Sequence, residues 1–194
     1  MSDAGGALRL ASEYAAETFL RLLCGVSVTG LERIPRHGPL IVACNHVSLV
    51  DPPLLGSAIA PARRPRFLAK KELFANPLMA AFFRSTGVLQ LDRGSADHAA
   101  MRAALDALES GGSLAIFPEG TRVRPGERRA PKPGVSFLSA RARAPVLPAR
   151  VVGTDAFPRR RLEVRFGEPL AAAREAKTHA AAYASAVMDA IYSL

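Results

Sequence analysis

Cys44-Asn45-His46-Val47-Ser48-Leu49-Val50-Asp51-Pro52-Pro53 is the junction from which the rest of the chain is read. Upstream of it, the run from Pro39 to Cys44 is short, apolar and ended by polar residues, the pattern of a core strand that opens into a loop. Downstream, Asp51 stands before Pro52. A residue before proline is pushed away from the helical region, whereas proline itself suits the first helical position. The stretch therefore predicts a strand, a loop and then a helix, with Asp51 as the helix N-cap.

On a continuous helix, two residues five apart point roughly 140° away from each other, so His46 and Asp51 cannot meet on one. If His46 sits at the mouth of a strand and the chain curls through Val47 to Val50, the Asp51 carboxylate can return to the imidazole. It then fixes the tautomer and leaves the other ring nitrogen free to take a proton from a hydroxyl. The same residues are open to a structural reading, as a hydrogen-bonded loop histidine and a capping aspartate.

The bulk numbers narrow the class. A chain of 194 residues is one domain by length, and 49% hydrophobic with 22% charged residues excludes wholesale disorder. The balance of 26 Lys and Arg against 17 Asp and Glu, +9, points to an anionic partner: nucleic acid, a membrane surface or a phosphorylated substrate. Nucleic acid is the weakest of these. Tryptophan is absent, aromatics are 6% of the chain, and no helix-turn-helix or zinc-finger spacing stands out. Cys24 and Cys44 lie in or beside apolar runs and read as buried thiols of a reducing compartment. No apolar run reaches the roughly 18 residues of a membrane span, and Met1 to Gly6 lacks the order of a secretory signal. A cytoplasmic protein with peripheral membrane contact is expected.

Outward from the junction, two blocks are expected, an N-terminal amphipathic helix within 1–25 and a domain over 26–194. Leu8, Ala11, Ala15, Phe19, Leu22 and Leu23 recur at helical steps up to Cys24, with Arg9, Glu13, Glu17 and Arg21 as the opposite row. Strands are expected at Val26–Leu31, Arg66–Ala69, Gly87–Arg93, Ser113–Phe117, Pro145–Val152 and Arg161–Phe166. Helices are expected at Pro53–Ala60, Pro77–Arg84, from a Ser95 cap to Glu109, and from Ala171 to Leu194. The stretch from Val123 to Pro133, rich in Arg, Lys and Pro, reads as a mobile basic loop. Alternating strands and helices predict a single α/β domain with a mostly parallel or mixed central sheet flanked by helices. In such sheets ligands bind beyond the carboxyl ends of the strands, which here deliver His46 and Asp51, Lys70, Arg93, Glu119 and Arg122.

Arg93 and Arg122 offer planar forks to a phosphate, Gly120 permits close backbone approach, and Glu119 can bond a hydroxyl or orient Arg122. Each also has a plain alternative, such as Arg93 pairing with Asp92. Four stretches, Asn45 to Asp51, Gly87 to Arg93, Phe117-Pro118-Glu119-Gly120-Thr121-Arg122 and Val146-Leu147-Pro148, resemble in order and spacing the four sequence blocks of the glycerolipid acyltransferases. The likeness is closest to the 1-acylglycerol-3-phosphate branch.

That resemblance implies a general base at His46, oriented by Asp51. It implies a glycerol-phosphate site of Arg93, Glu119, Gly120, Thr121 and Arg122, with Lys70 as an extra contact and Pro148 shaping the acyl pocket. It also implies acyl-CoA or acyl carrier protein as co-substrate, a lysophospholipid acceptor, no metal or other cofactor, and no acyl-enzyme. Arg122, Arg124, Arg128, Arg129 and Lys132 form the densest basic cluster and would face anionic lipid. The competing readings are a non-catalytic basic protein that docks on anionic membranes, and a hydrolase of the same fold.

Overall fold

Leu40 to Cys44 is buried along its whole length because it lies at the middle of a sheet covered on both faces. In such a strand alternate side chains enter two different cores, so both sets must be apolar. Leu40, Val42 and Cys44 join one core, while Ile41 and Ala43 join the other. The structure, a computed structural model, describes residues 25–92, 98–159, 161–173 and 179–194. The expected N-terminal helix, Cys24, the Ser95 cap and Arg93 lie outside these.

Seven strands form the sheet: β1 (Val26–Thr29), β2 (Leu40–Cys44), β3 (Arg66–Lys70), β4 (Leu89–Leu91), β5 (Ser113–Ile116), β6 (Val146–Val152) and β7 (Leu162–Phe166), in the order β1-β7-β6-β2-β5-β3-β4. Every neighbouring pair is parallel except β6 with β7. The carboxyl ends of β2 to β6 therefore share one rim. Five helices accompany them: α1 (Asp51–Ile59), α2 (Pro77–Ser85), α3 (His98–Glu109), α4 (Gly134–Ala142) and α5 (Ala180–Tyr192). On one face α1 buries Leu54, Leu55, Ala58 and Ile59 against Val42, Leu147 and Val164. On the other, α3, α4 and α5 bury Leu108, Leu138, Val187 and Ile191 against Ile41, Leu114 and Val146. The expected single α/β domain is what is found.

One helix, α4, was not expected, and one local expectation is corrected. Helix α4 carries no clear apolar stripe because two of its inward residues are serines, Ser136 and Ser139, both fully buried. Their hydroxyls are satisfied by main-chain groups: Ser136 Oγ donates to Ala180 O at 2.6 Å and Ser139 Oγ to Ala144 O at 2.7 Å. The C-terminal helix begins only at Ala180. Before it, Leu170 exchanges two main-chain bonds with Val146 of β6, at 2.8 and 3.0 Å, so the chain is still tied to the sheet where the helix was expected to begin.

At the opposite rim Arg63, itself buried, ties the entrances of β2 and β5 together. Its guanidinium donates to Pro35 O, Gly38 O and Gly111 O at 2.8 to 3.2 Å. A cleft of about 480 Å³ opens there, lined by Arg36, His37 and Arg64 among others. It lies at the amino ends of the strands, away from His46, and the chemistry described next takes no part in it.

Candidate active site

Beyond Cys44 the chain leaves the sheet, and Asn45 fixes where it goes. Its buried carboxamide bridges to β6, accepting from Val151 N at 2.8 Å and donating to Val151 O at 3.0 Å. His46 follows, its ring stacked on Phe117 at the end of β5 with centroids 4.2 Å apart and planes at 23°. His46 O accepts from Val123 N at 2.8 Å, which joins this loop to the Phe117–Arg122 turn.

Asp51 is fully buried and is the first residue of α1 rather than its N-cap. Its carboxylate looks back along the chain. Oδ2 accepts from Val47 N at 2.6 Å, Ser48 N at 2.7 Å and His46 Nδ1 at 2.9 Å, and Oδ1 accepts from Thr154 Oγ1 at 2.5 Å. The expectation of a cap fails because the loop amides and the imidazole engage the carboxylate before the helix can. A carboxylate already taking three other donors is an acceptor for the ring, so Nδ1 carries a proton, and in the neutral ring the lone pair is on Nε2. The side chain of His46 is 13% exposed, so the ring is not sealed from solvent as Asp51 is.

The second part of the site is the turn after β5. Gly120 adopts φ +70°, a left-handed conformation that side chains resist, and a Cβ placed there would lie 2.6 Å from Lys132 Cε. Lys132 N in turn donates to Pro118 O at 2.8 Å, so the basic loop is pinned at this end and, through Val123, at the other. Arg122 is exposed, and its guanidinium has no partner among the described residues; Thr121 beside it is half-buried.

Glu119 is fully buried and binds Tyr192 rather than Arg122. Tyr192 Oη donates to Oε1 at 2.9 Å, while Oε2 has no hydrogen-bond partner among the described residues. The tyrosine is itself held, with Arg150 Nη1 donating to its carbonyl at 2.9 Å and Arg128 lying 4.5 Å above its ring. Burial raises the Glu119 carboxyl from 4.5 to about 7. The Tyr192 bond and the nearby His46 amide oppose the rise, and the Asp51 charge adds to it. Burial, with Glu119 beside it, pushes Tyr192 up to about 12, and burial likewise raises the free Cys44 thiol.

A carboxyl whose folded-state value exceeds its unfolded one is held in its protonated form by the native state. Its contribution to stability is therefore full below about pH 4.5 and lost as the pH rises to about 7. A Glu119→Gln variant is expected to lose less melting temperature across that window than the parent chain. Parallel melting curves for the two would contradict this.

The structure thus brings His46, Asp51, Glu119, Gly120, Thr121 and Arg122 to one rim, through β2 and β5. Lys70 ends β3 on the same rim, yet its ammonium is engaged by Glu72 at 3.1 Å. Pro148 does not reach the rim. It lies inside β6 opposite Ala43, where a Cβ on Gly167 would come within 2.9 Å of its ring. Asn45, Thr154 and Tyr192 were given no role by sequence. Thr154 follows the carboxyl end of β6, and that position alone could have signalled it; nothing local marks Tyr192. Among the described residues no group of three or more His, Cys, Asp or Glu is placed to hold a metal ion, and no helix is long and apolar enough to cross a membrane.

The family model described as Acyltransferase matches residues 25–152. The 1-acyl-sn-glycerol-3-phosphate acyltransferase of Bacillus subtilis (strain 168) is 30% identical over 160 residues, covering 80% of this chain and 79% of that protein. A lyso-ornithine lipid O-acyltransferase of Pseudomonas aeruginosa is 40% identical over 114 residues, 58% of this chain and 42% of that protein. Among solved structures, the 1-acyl-sn-glycerophosphate (LPA) acyltransferase PlsC from Thermotoga maritima superposes with a TM-score of 0.78 at 26% identity, covering 100% of this chain and 82% of that one.

Proposed function

The chain belongs to the acyltransferase family, and from that premise we propose that it is an O-acyltransferase that moves a fatty acyl group from a thioester to the free hydroxyl of 1-acylglycerol-3-phosphate, giving phosphatidate for phospholipid synthesis. The observation that carries the reading is the 2.9 Å bond from His46 Nδ1 to a fully buried Asp51, which leaves Nε2 as a base at the strand ends. Nε2 takes the proton of the acceptor hydroxyl as its oxygen attacks the thioester carbonyl. The new C–O bond forms and the C–S bond breaks. The departing sulfur then receives the proton from the imidazolium, so the products are one ester and one thiol, with no acyl group left on the protein. Asp51 orients the ring and offsets its transient charge; a base so placed contributes about 3 to 5 kcal/mol to barrier lowering.

Arg122, exposed and without a partner among the described residues, supplies the planar fork for the acceptor phosphate, with Arg93 as a second cation. Gly120 and Thr121 shape the turn that presents it. Glu119 supports the same turn from beneath, through its bond with Tyr192. Lys70 adds charge at the margin, and Pro148 acts at a distance, by setting the local path of β6. The acyl donor is coenzyme A or acyl carrier protein. The protein works at the cytoplasmic face of the membrane, bound peripherally.

An acceptor panel tests this. With labelled acyl-CoA and acyl carrier protein as donors, 1-acylglycerol-3-phosphate is expected to be acylated far faster than lysophospholipids with larger headgroups or than lyso-ornithine lipid. The last acceptor is chosen because a relative takes its name from it. Preference for lyso-ornithine lipid would overturn the acceptor. Arg122→Ala is expected to raise KM for the phosphorylated acceptor roughly ten- to one-hundred-fold, the worth of one to two charge-assisted bonds. For lyso-ornithine lipid, which lacks the phosphate, KM should change little. Equal effects on both acceptors would deny Arg122 the phosphate.

A further inference from the structure

The large apolar side chains left exposed among the described residues are Leu49, Leu73, Leu78, Met79, Phe82 and Phe137. Five of the six lie in the loop after β2 or in the crossover from β3 to β4. Soluble proteins scatter such residues singly, and their concentration marks an interaction surface. Helix α2 carries three of them. At 100° per residue, Ala81, Leu78, Phe82 and Met79 span an arc of about 160°, and Ala80 lies opposite its centre. Ala80 is the side chain that is buried, at 2% exposure, whereas Leu78 is 81% exposed.

This outward face belongs to a well-formed helix. Asn76 caps it, its side chain accepting from Leu78 N at 2.9 Å and Met79 N at 3.2 Å, and Pro77 follows in the first turn. From beneath, the Phe83 ring tilts onto Phe74 with centroids 5.2 Å apart. The turn Lys71–Phe74 that precedes α2 follows the carboxyl end of β3, on the rim that carries His46. Leu49, 67% exposed, stands in the His46–Asp51 loop itself. Lys70 ends β3 and Lys71 follows it beside this crossover, near Glu72 at 3.1 Å and Asp92 at 3.5 Å respectively, and the turn after the neighbouring strand β5 carries the exposed Arg122, so the rim that bears the apolar surface also bears cations. An apolar arc with cations on the same rim is the chemistry of a protein that lies in an anionic bilayer surface.

We propose that α2 is the element by which this protein enters an anionic lipid surface. Leu78, Met79 and Phe82 lie among the acyl chains, Leu73 and Leu49 stand at the boundary, and the rim cations meet the phosphates. The inference rests on the acyltransferase reading only for its consequence, that His46 is held over the layer in which a lysophospholipid presents its hydroxyl. The docking surface follows from exposure and charge alone.

The chain contains no tryptophan, so Phe82→Trp places a single indole in the arc. With vesicles of phosphatidylcholine and phosphatidylglycerol the indole emission is expected to move to shorter wavelength and to be quenched by lipids brominated on their acyl chains. In the same background Leu78→Glu with Met79→Glu is expected to weaken vesicle binding by more than about ten-fold. The melting temperature should not change, because both side chains face outward. Three results would overturn the proposal: an indole that stays solvent-exposed with vesicles, one already shielded without them because another part of the chain covers the arc, or a shift that follows protein concentration because a second copy does. Acyl transfer to a short-chain, monomeric acceptor separates this inference from the functional one. Transfer without insertion sinks the docking surface alone, and insertion without transfer to any acceptor sinks the acyltransferase reading alone.

Discussion

Replacing His46 with alanine is expected to lower acceptor-dependent thiol release about 100- to 10,000-fold while leaving the fold in place. The two halves of this expectation have separate grounds. The imidazole is oriented by a buried carboxylate at the strand ends and is itself partly exposed. Its removal does not dismantle the loop, because Asp51 keeps its bonds from Val47 N, Ser48 N and Thr154 Oγ1, and Asn45 keeps both bonds to Val151. The main structural loss is the stack on Phe117. Thiol release with saturating acceptor, read beside the circular dichroism spectrum, checks both halves. A folded variant that turns over within a few-fold of the parent would remove His46 from the chemistry.

Asp51→Asn should be costly in two ways at once. A carboxamide can keep Oδ1 toward the His46 and loop donors and turn its amino group toward Thr154, whose hydroxyl can accept. The tautomer of the ring is then preserved. What disappears is the negative charge that offsets the imidazolium formed as the proton moves, and an activity loss of about 100- to 10,000-fold is expected even with the ring correctly placed. The hydrogen bonds to a charged acceptor also weaken, for a stability loss of about 1 to 3 kcal/mol. Denaturant melts and single-substrate kinetics on one preparation measure both. Loss of stability with full activity would make Asp51 a structural residue only.

How much of this was legible in the chain depends on the range of the interaction. The strand Leu40–Cys44 announces itself because burial on two faces leaves it no polar position. Its successor α1 announces itself by the two prolines of its first turn. The meeting of His46 with Asp51 was readable because the two are five residues apart and the loop between them is short. Helix α4 was hidden because Ser136 and Ser139 break the apolar period, and Ser136 donates to Ala180 while Ser139 accepts from Ala173, both in distant segments. Thr154 and Tyr192 were hidden for the same reason. They reach Asp51 and Glu119 across 103 and 73 residues, and no local pattern encodes such a bond. Pro148 was assigned to the acyl pocket through the resemblance, whereas its buried place within β6 gives it contact with Gly167. Arg122 lies on an exposed turn, while Glu119, expected to bond a hydroxyl or orient Arg122, is turned inward to Tyr192.

The central claim is that an imidazole activates the acceptor hydroxyl for direct attack on a thioester. Rapid-quench measurement of thiol release from labelled acyl-CoA, with and without 1-acylglycerol-3-phosphate, tests it most directly. The account predicts no release without acceptor and, with it, one phosphatidate for each thiol and no label on the protein. A burst of thiol stoichiometric with the protein, or steady release into water without acceptor, would contradict it.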